Sequence, residues 1–276
     1  MKTNTKRIVK KFLNNEIESL EETVKVLSDR SGKKIISIRL GELNYIAKIF
    51  DLTYIPVKGK GPMISPIDLY KQEEKMLVLS QKFNNQYLMS YTDNDCGIII
   101  MNKVSGEPAH LYIKNNPSES SRVVDQMIKS VKELHINGIL HGDLQPAHFL
   151  VTKTTVELID FGISGSIPGG YERYPGSLVH YASPEIAAQM MSKSEGLNYS
   201  VSSEIYSLGA VILYCLTEKL PTKYEFKTVP FLEKQKRIAE NGPDQYLEIR
   251  NKELSSEMRS LLDSFLVKDM NKRKGL

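Results

Sequence analysis

Two aspartates stand at the ends of short apolar runs in the middle of the chain. Asp143 lies in His141-Gly142-Asp143-Leu144-Gln145-Pro146-Ala147-His148-Phe149-Leu150, and Asp160 lies in Ile159-Asp160-Phe161-Gly162. The segments Phe149-Leu150-Val151 and Val156-Glu157-Leu158-Ile159 are apolar or alternating, and Lys153-Thr154-Thr155 separates them as a turn. This pattern predicts a β-hairpin with one carboxylate just before it and the other just after. Such a pair suits phosphoryl transfer, in which one carboxylate accepts the proton of an attacking hydroxyl and the other holds the divalent cation on the nucleotide phosphates.

The elements that must position these acids can be read from the spacing of apolar residues. Residues 1–22 carry Lys2, Lys6, Arg7, Lys10 and Lys11 around Ile8, Phe12, Leu13, Ile17 and Leu20, which predicts a basic amphipathic helix packed on the body of the protein. Strands are expected over 23–27, 35–40 and 45–50, followed by a Pro- and Gly-containing loop over 51–66 and a helix over 67–80. Two more strands, 86–92 and 97–101, complete an antiparallel sheet. A long helix over 118–137, with Val123, Val124, Met127, Ile128, Val131 and Leu134 on one face, then delivers the chain to the catalytic stretch.

Composition narrows the class. The 276 residues are 41% hydrophobic, enough for a substantial core, and 37 basic against 33 acidic side chains give a formal charge of +4, too mild to point to nucleic acid. Cys96 and Cys215 form neither a CxxC nor a Cys/His cluster, so no disulfide framework or zinc site is expected. No apolar run is long enough for an integral membrane segment and no signal peptide is apparent, so a cytoplasmic protein is expected.

The ordered motifs resemble the eukaryotic-type protein kinase family, whose catalytic loop reads H-R-D-L-x-x-x-N and whose metal motif is D-F-G. Ile46-Ala47-Lys48-Ile49 is similar to the family's V-A-I-K, Ser183-Pro184-Glu185 to its A-P-E, Ser203 to Gly209 to its buried anchoring helix, and Asp269-Met270-Asn271-Lys272-Arg273 to its D-P-x-x-R. The resemblance covers almost the whole chain. It implies an α+β, bilobal kinase-like fold: a small five-stranded antiparallel β lobe with one helix (23–102), and a larger, mainly α-helical lobe (103–276), preceded by the 1–22 helix.

The resemblance also implies roles. Asp143 would be the catalytic base and Lys48 the phosphate lysine, paired with a helix glutamate for which Glu73 and Glu74 both qualify. Glu73 is preferred because Met76 and Leu77 then follow on the inward face. Gly32 would belong to the turn over the phosphates, Met101 would guard the back of the nucleotide pocket, the backbone of Asn102, Lys103 and Val104 would meet the adenine, and Leu150 would line the site. Asp160 and His148 would hold the metal, His141 would be a packing residue beside Phe161, and Arg273 would pair with Glu185. ATP and Mg²⁺ or Mn²⁺ are the implied cofactors, and a protein or peptide is the implied substrate.

Departures from the pattern mark where this chain should differ. Asp29-Arg30-Ser31-Gly32 offers one glycine where the family has a glycine-rich loop. Gly142 replaces the arginine that would gather a phosphate on the activation segment, expected over 163–182, so independence from phosphorylation by that route is expected. Gln145 replaces a lysine common in Ser/Thr kinases. His148 replaces an asparagine, putting a softer nitrogen where an amide oxygen would meet Mg²⁺. A small-molecule kinase and a catalytically impaired pseudokinase acting as a binding module remain the alternatives to a Ser/Thr protein or peptide kinase.

Overall fold

A computed structural model describes residues 24–30, 32–55, 64–167, 178–192, 197–225 and 227–276. The N-terminal helix expected over 1–22 and residues 168–177 of the expected activation segment lie outside the described residues. The chain divides into two compact units, Met1–Lys103 and Val104–Leu276.

The first unit is built on a five-stranded antiparallel sheet. Its strands are β1 (Val24–Arg30), β2 (Lys33–Leu40), β3 (Leu43–Asp51), β4 (Tyr87–Thr92) and β5 (Cys96–Asn102), in the order β1-β2-β3-β5-β4. One face buries Ile36, Ile38, Ala47, Ile49, Ile98 and Ile100 as a cluster. These are β-branched residues in the main, which pack well on a pleated surface and recur with period two. The other face meets α1 (Pro66–Ser80), where the Tyr70 and Phe50 rings pack edge-on at 5.7 Å. Gly97 permits this contact, since a Cβ there would fall 2.7 Å from the Tyr70 ring. The helix starts where its sequence says it should: the Ser65 side chain accepts from the Asp68 N–H, and Pro66 occupies the first turn.

The β1–β2 hairpin is tighter than the spacing suggests. Arg30 pairs with Lys33, so Lys33 belongs to the strand and not to the turn.

The second unit contains β6 (Glu107–Pro108), α2 (Ala109–Asn115), α3 (Ser120–Ile136), β7 (Ile139–Leu140), β8 (Phe149–Val151), β9 (Val156–Leu158), β10 (Gly165–Ser166), α4 (Pro184–Met191), α5 (Val201–Thr217), α6 (Phe231–Asn241), α7 (Asp244–Glu253) and α8 (Ser256–Phe265). The predicted hairpin is β8–β9, antiparallel, with Phe149 opposite Leu158 and Val151 opposite Val156. Helix α5 is the axis of this unit, buried from Ser203 through Leu213. A helix apolar nearly all round is stable only inside a core. Its Gly209 admits α8 closely: a Cβ at that position would lie 2.9 Å from the Phe265 Cβ. The short helix α2 and the helices α6 and α7 are absent from the sequence reading. Helix α7 shows why, since it is mostly polar and buries Tyr246 and Ile249 alone.

Candidate active site

In the first unit, Lys48 and Glu73 form a buried ion pair, with Lys48 4% exposed and Glu73 fully buried. Strand β3 places Lys48 opposite Ile35 of β2 and Ile99 of β5, on the face that α1 covers. Glu74 turns elsewhere and accepts from the Ser90 hydroxyl and from the Tyr70 hydroxyl at 3.2 Å. Gly32 has φ +74°, the left-handed region that favours glycine, and its Cα packs against the Tyr54 side chain so closely that a Cβ would be 2.7 Å away. Met101 is buried in β5 between Ile46 and Tyr87. The N–H groups of Asn102 and Lys103, in the backbone expected to meet the adenine, donate within the unit to the carbonyls of Gln86 (2.7 Å) and Asn44 (2.9 Å). Val104 begins the second unit.

The second unit brings Asp143, Gln145, His148 and Asp160 together. The Gln145 amide donates to Asp143 Oδ2 at 3.0 Å, steadying the carboxylate with a neutral group where a lysine would bring a charge. His148 Nδ1 lies 2.8 Å from the Asp143 carbonyl oxygen. A carbonyl can accept but not donate, so Nδ1 carries the proton and the lone pair of the neutral ring is on Nε2. That atom lies 3.7 Å from Asp160 Oδ2. Two lone-pair donors facing each other across this gap fit a divalent cation. Among the described residues no group of three or more His, Cys, Asp or Glu converges on a metal position, so phosphate oxygens and water would have to supply the remaining ligands. Asp160 has φ +68°, a conformation that Asp tolerates better than most residues. Leu150 is half-buried in β8, opposite Pro108 and Glu157.

His141 meets this group through the main chain, its Nδ1 accepting from the Asp143 N–H at 3.3 Å. It is fully buried, its Nε2–H donates to the Ile159 carbonyl at 3.0 Å, and its ring packs edge-on against Phe161 at 5.3 Å. Burial, with the neighbouring His148, holds its pKa below the ordinary histidine value.

What fixes the loop is a residue for which the sequence reading expected no more than a place in the anchoring helix. Glu204 of α5 is fully buried, and its carboxylate accepts from the His141 N–H at 3.1 Å and the Gly142 N–H at 2.7 Å. It also meets His135 Nε2 of α3 at 2.7 Å and the Tyr199 hydroxyl at 3.5 Å. Gly142 has φ +79°, where a side chain would strain the backbone. The available signal was the position of an acidic residue, Glu204, in an otherwise largely apolar anchoring helix. Its side chain reaches both the loop and α3.

At the far end, Arg273 makes a two-pronged contact with Glu185, Nη1 to Oε1 at 2.6 Å and Nη2 to Oε2 at 2.7 Å. Burial alone would raise the Glu185 pKa, but the hydrogen bonds and charge of Arg273 outweigh it and hold the carboxyl below its ordinary value.

Comparison with known proteins agrees with this architecture. Residues 67–276 match the family described as "Protein kinase domain". The chain is 29% identical over 250 residues to the serine/threonine-protein kinase MPS1 of Encephalitozoon cuniculi, covering 89% of this chain and 36% of that protein. It is 32% identical over 155 residues to the probable serine/threonine-protein kinase fhkC of Dictyostelium discoideum, covering 55% and 24%. It is 25% identical over 219 residues to the MAP kinase kinase MKK1/SSP32 of Saccharomyces cerevisiae, covering 74% and 40%. The chain belongs to the protein kinase family, and it spans less than half the length of each of these relatives.

Proposed function

We propose that this chain is an ATP-dependent Ser/Thr protein kinase domain, acting in the cytoplasm on a protein or peptide hydroxyl. The observation that carries the reading is the intact, buried Lys48–Glu73 pair. Removing two charges from water is costly, and in kinases this pair must be in place for phosphoryl transfer. Its retention favours a working enzyme over a binding module.

Each unit supplies its own part. Lys48, oriented by Glu73, neutralises phosphate charge. Asp143, steadied by Gln145, accepts the proton of the acceptor hydroxyl as the oxygen attacks. Asp160 and His148 hold the divalent cation. Bound Mg²⁺– or Mn²⁺–ATP supplies the transferable γ-phosphoryl group and the electrophilic charge that stabilises its transfer. Gly142 has no side chain with which to gather an activation-segment phosphate, so basal activity does not depend on that route.

The test is transfer of labelled phosphate from ATP to generic protein, to small alcohols and to the chain itself. Transfer to serine or threonine is expected to exceed transfer to alcohols. Asp143→Asn is expected to lower kcat by roughly 10²- to 10⁴-fold with an unchanged thermal midpoint. Undiminished transfer by that variant would overturn the assignment of the base.

A further inference from the structure

Glu73 holds two lysines. Lys48 occupies Oε1, and Lys33 of β2 reaches Oε2 at 3.4 Å. The two contacts differ in kind. Lys48 is buried and held closely, whereas the Lys33 side chain is 27% exposed and its contact is long for an N–H···O bond. In the same position the Lys33 ammonium lies 5.5 Å from the centre of the Phe50 ring, so its charge is shared between a carboxylate and an aromatic face.

The ladder fixes where this second ammonium stands. Lys33 is opposite Phe50 and Ile35 is opposite Lys48, so with period two both lysines project from the same sheet face, on neighbouring strands. The adjacent Lys34 points to the other face and pairs with Asp29 at 2.8 Å. Lys33 directly follows Gly32, the one glycine in a turn that would otherwise cover phosphates with several main-chain N–H groups. That glycine's open side is filled by Tyr54.

We propose that Lys33 is a second phosphate-binding lysine, which leaves its loose contact with Glu73 for the terminal phosphates of a nucleoside triphosphate. Charge on a strand residue then does what a glycine-rich turn does with backbone dipoles. A flexible four-carbon stem carrying a point charge suits this exchange of partners. The inference rests on the reading of Lys48 as the mark of the phosphate site.

The experiment is calorimetric binding of ATP and of adenosine to the full chain and to the variants Lys33→Gln, Lys33→Arg and Lys48→Met. Lys33→Gln is expected to weaken ATP about tenfold, the effect of one lost charge-assisted contact. Adenosine affinity should stay within twofold, and Lys33→Arg should retain ATP binding. If Lys33→Gln leaves ATP binding unchanged, or weakens ATP and adenosine equally, while Lys48→Met selectively weakens ATP, the role of Lys33 is refuted and the phosphate site stands. If Lys48→Met also leaves ATP binding intact, the phosphate site itself is misassigned and the role of Lys33 falls with it.

Discussion

His148 shows how a single main-chain contact can set the chemistry of a side chain. Because Nδ1 is committed to the Asp143 carbonyl, the ring presents Nε2 toward Asp160. Imidazole nitrogen favours Mn²⁺ over Mg²⁺ relative to an amide oxygen. His148→Asn is therefore expected to shift the Mg²⁺-to-Mn²⁺ activity ratio toward Mg²⁺ on the order of tenfold, equivalent to about 1.4 kcal/mol. Rates in each metal, with Mn²⁺ binding followed by paramagnetic resonance in the presence of nucleotide, would check it, and an unchanged ratio and Mn²⁺ affinity would count against ligation by the ring. Asp143 and Asp160 stand out in the sequence as carboxylates at the ends of apolar strands, whereas Lys48 is picked out by the likeness of Ile46-Ala47-Lys48-Ile49 to the V-A-I-K motif. The tautomer of His148 is not legible there, since the group that fixes it is a backbone carbonyl, which every residue possesses.

Helix α5 and the segments around it make the same point about elements. Its near-continuous apolar run is visible in sequence, and the Arg273–Glu185 pair follows from the family resemblance, but α6, which packs on α4, and the mostly polar α7 give no such signal. Arg273 is fully buried as a side chain, sits 4.9 Å from the Tyr206 ring, and grips Glu185 with two nitrogens. Removing one partner of such a pair leaves an uncompensated charge in the interior. Arg273→Ala is expected to cost roughly 3–5 kcal/mol of stability in urea denaturation. Arg273→Lys should recover a fraction, because one ammonium cannot reproduce the guanidinium fork. A loss below about 1 kcal/mol, the range of an exposed pair, would contradict this account.

For the molecule as a whole, half-buried titratable groups set a pH window. His180 accepts from or donates to the Tyr224 hydroxyl at 2.8 Å, and burial together with the charge of Lys234 pushes its pKa down from 6.5 to about 4. With the folded value below the unfolded one, the unfolded chain takes up the proton first. Full stability is present above pH 6.5 and declines as the pH falls toward 4. Glu185 acts in the same direction at lower pH, because its carboxyl is also held below its ordinary value. The thermal midpoint should therefore drop between pH 6.5 and 4, and His180→Gln should flatten that drop. An identical slope in the variant would exclude His180 as its source.

The tie from Glu204 to the main chain of His141 and Gly142 carries a consequence for motion. Loops that carry catalytic groups ordinarily open by local fluctuation, and their amides trade hydrogen for solvent deuterium quickly. Here the two amides that precede Asp143 end on a carboxylate in the first turn of the most deeply buried helix. Their exchange with deuterium must wait for that helix to come loose. They are expected to be among the last amides to exchange, keeping pace with α5 and outlasting the exposed turn at Lys153 by orders of magnitude.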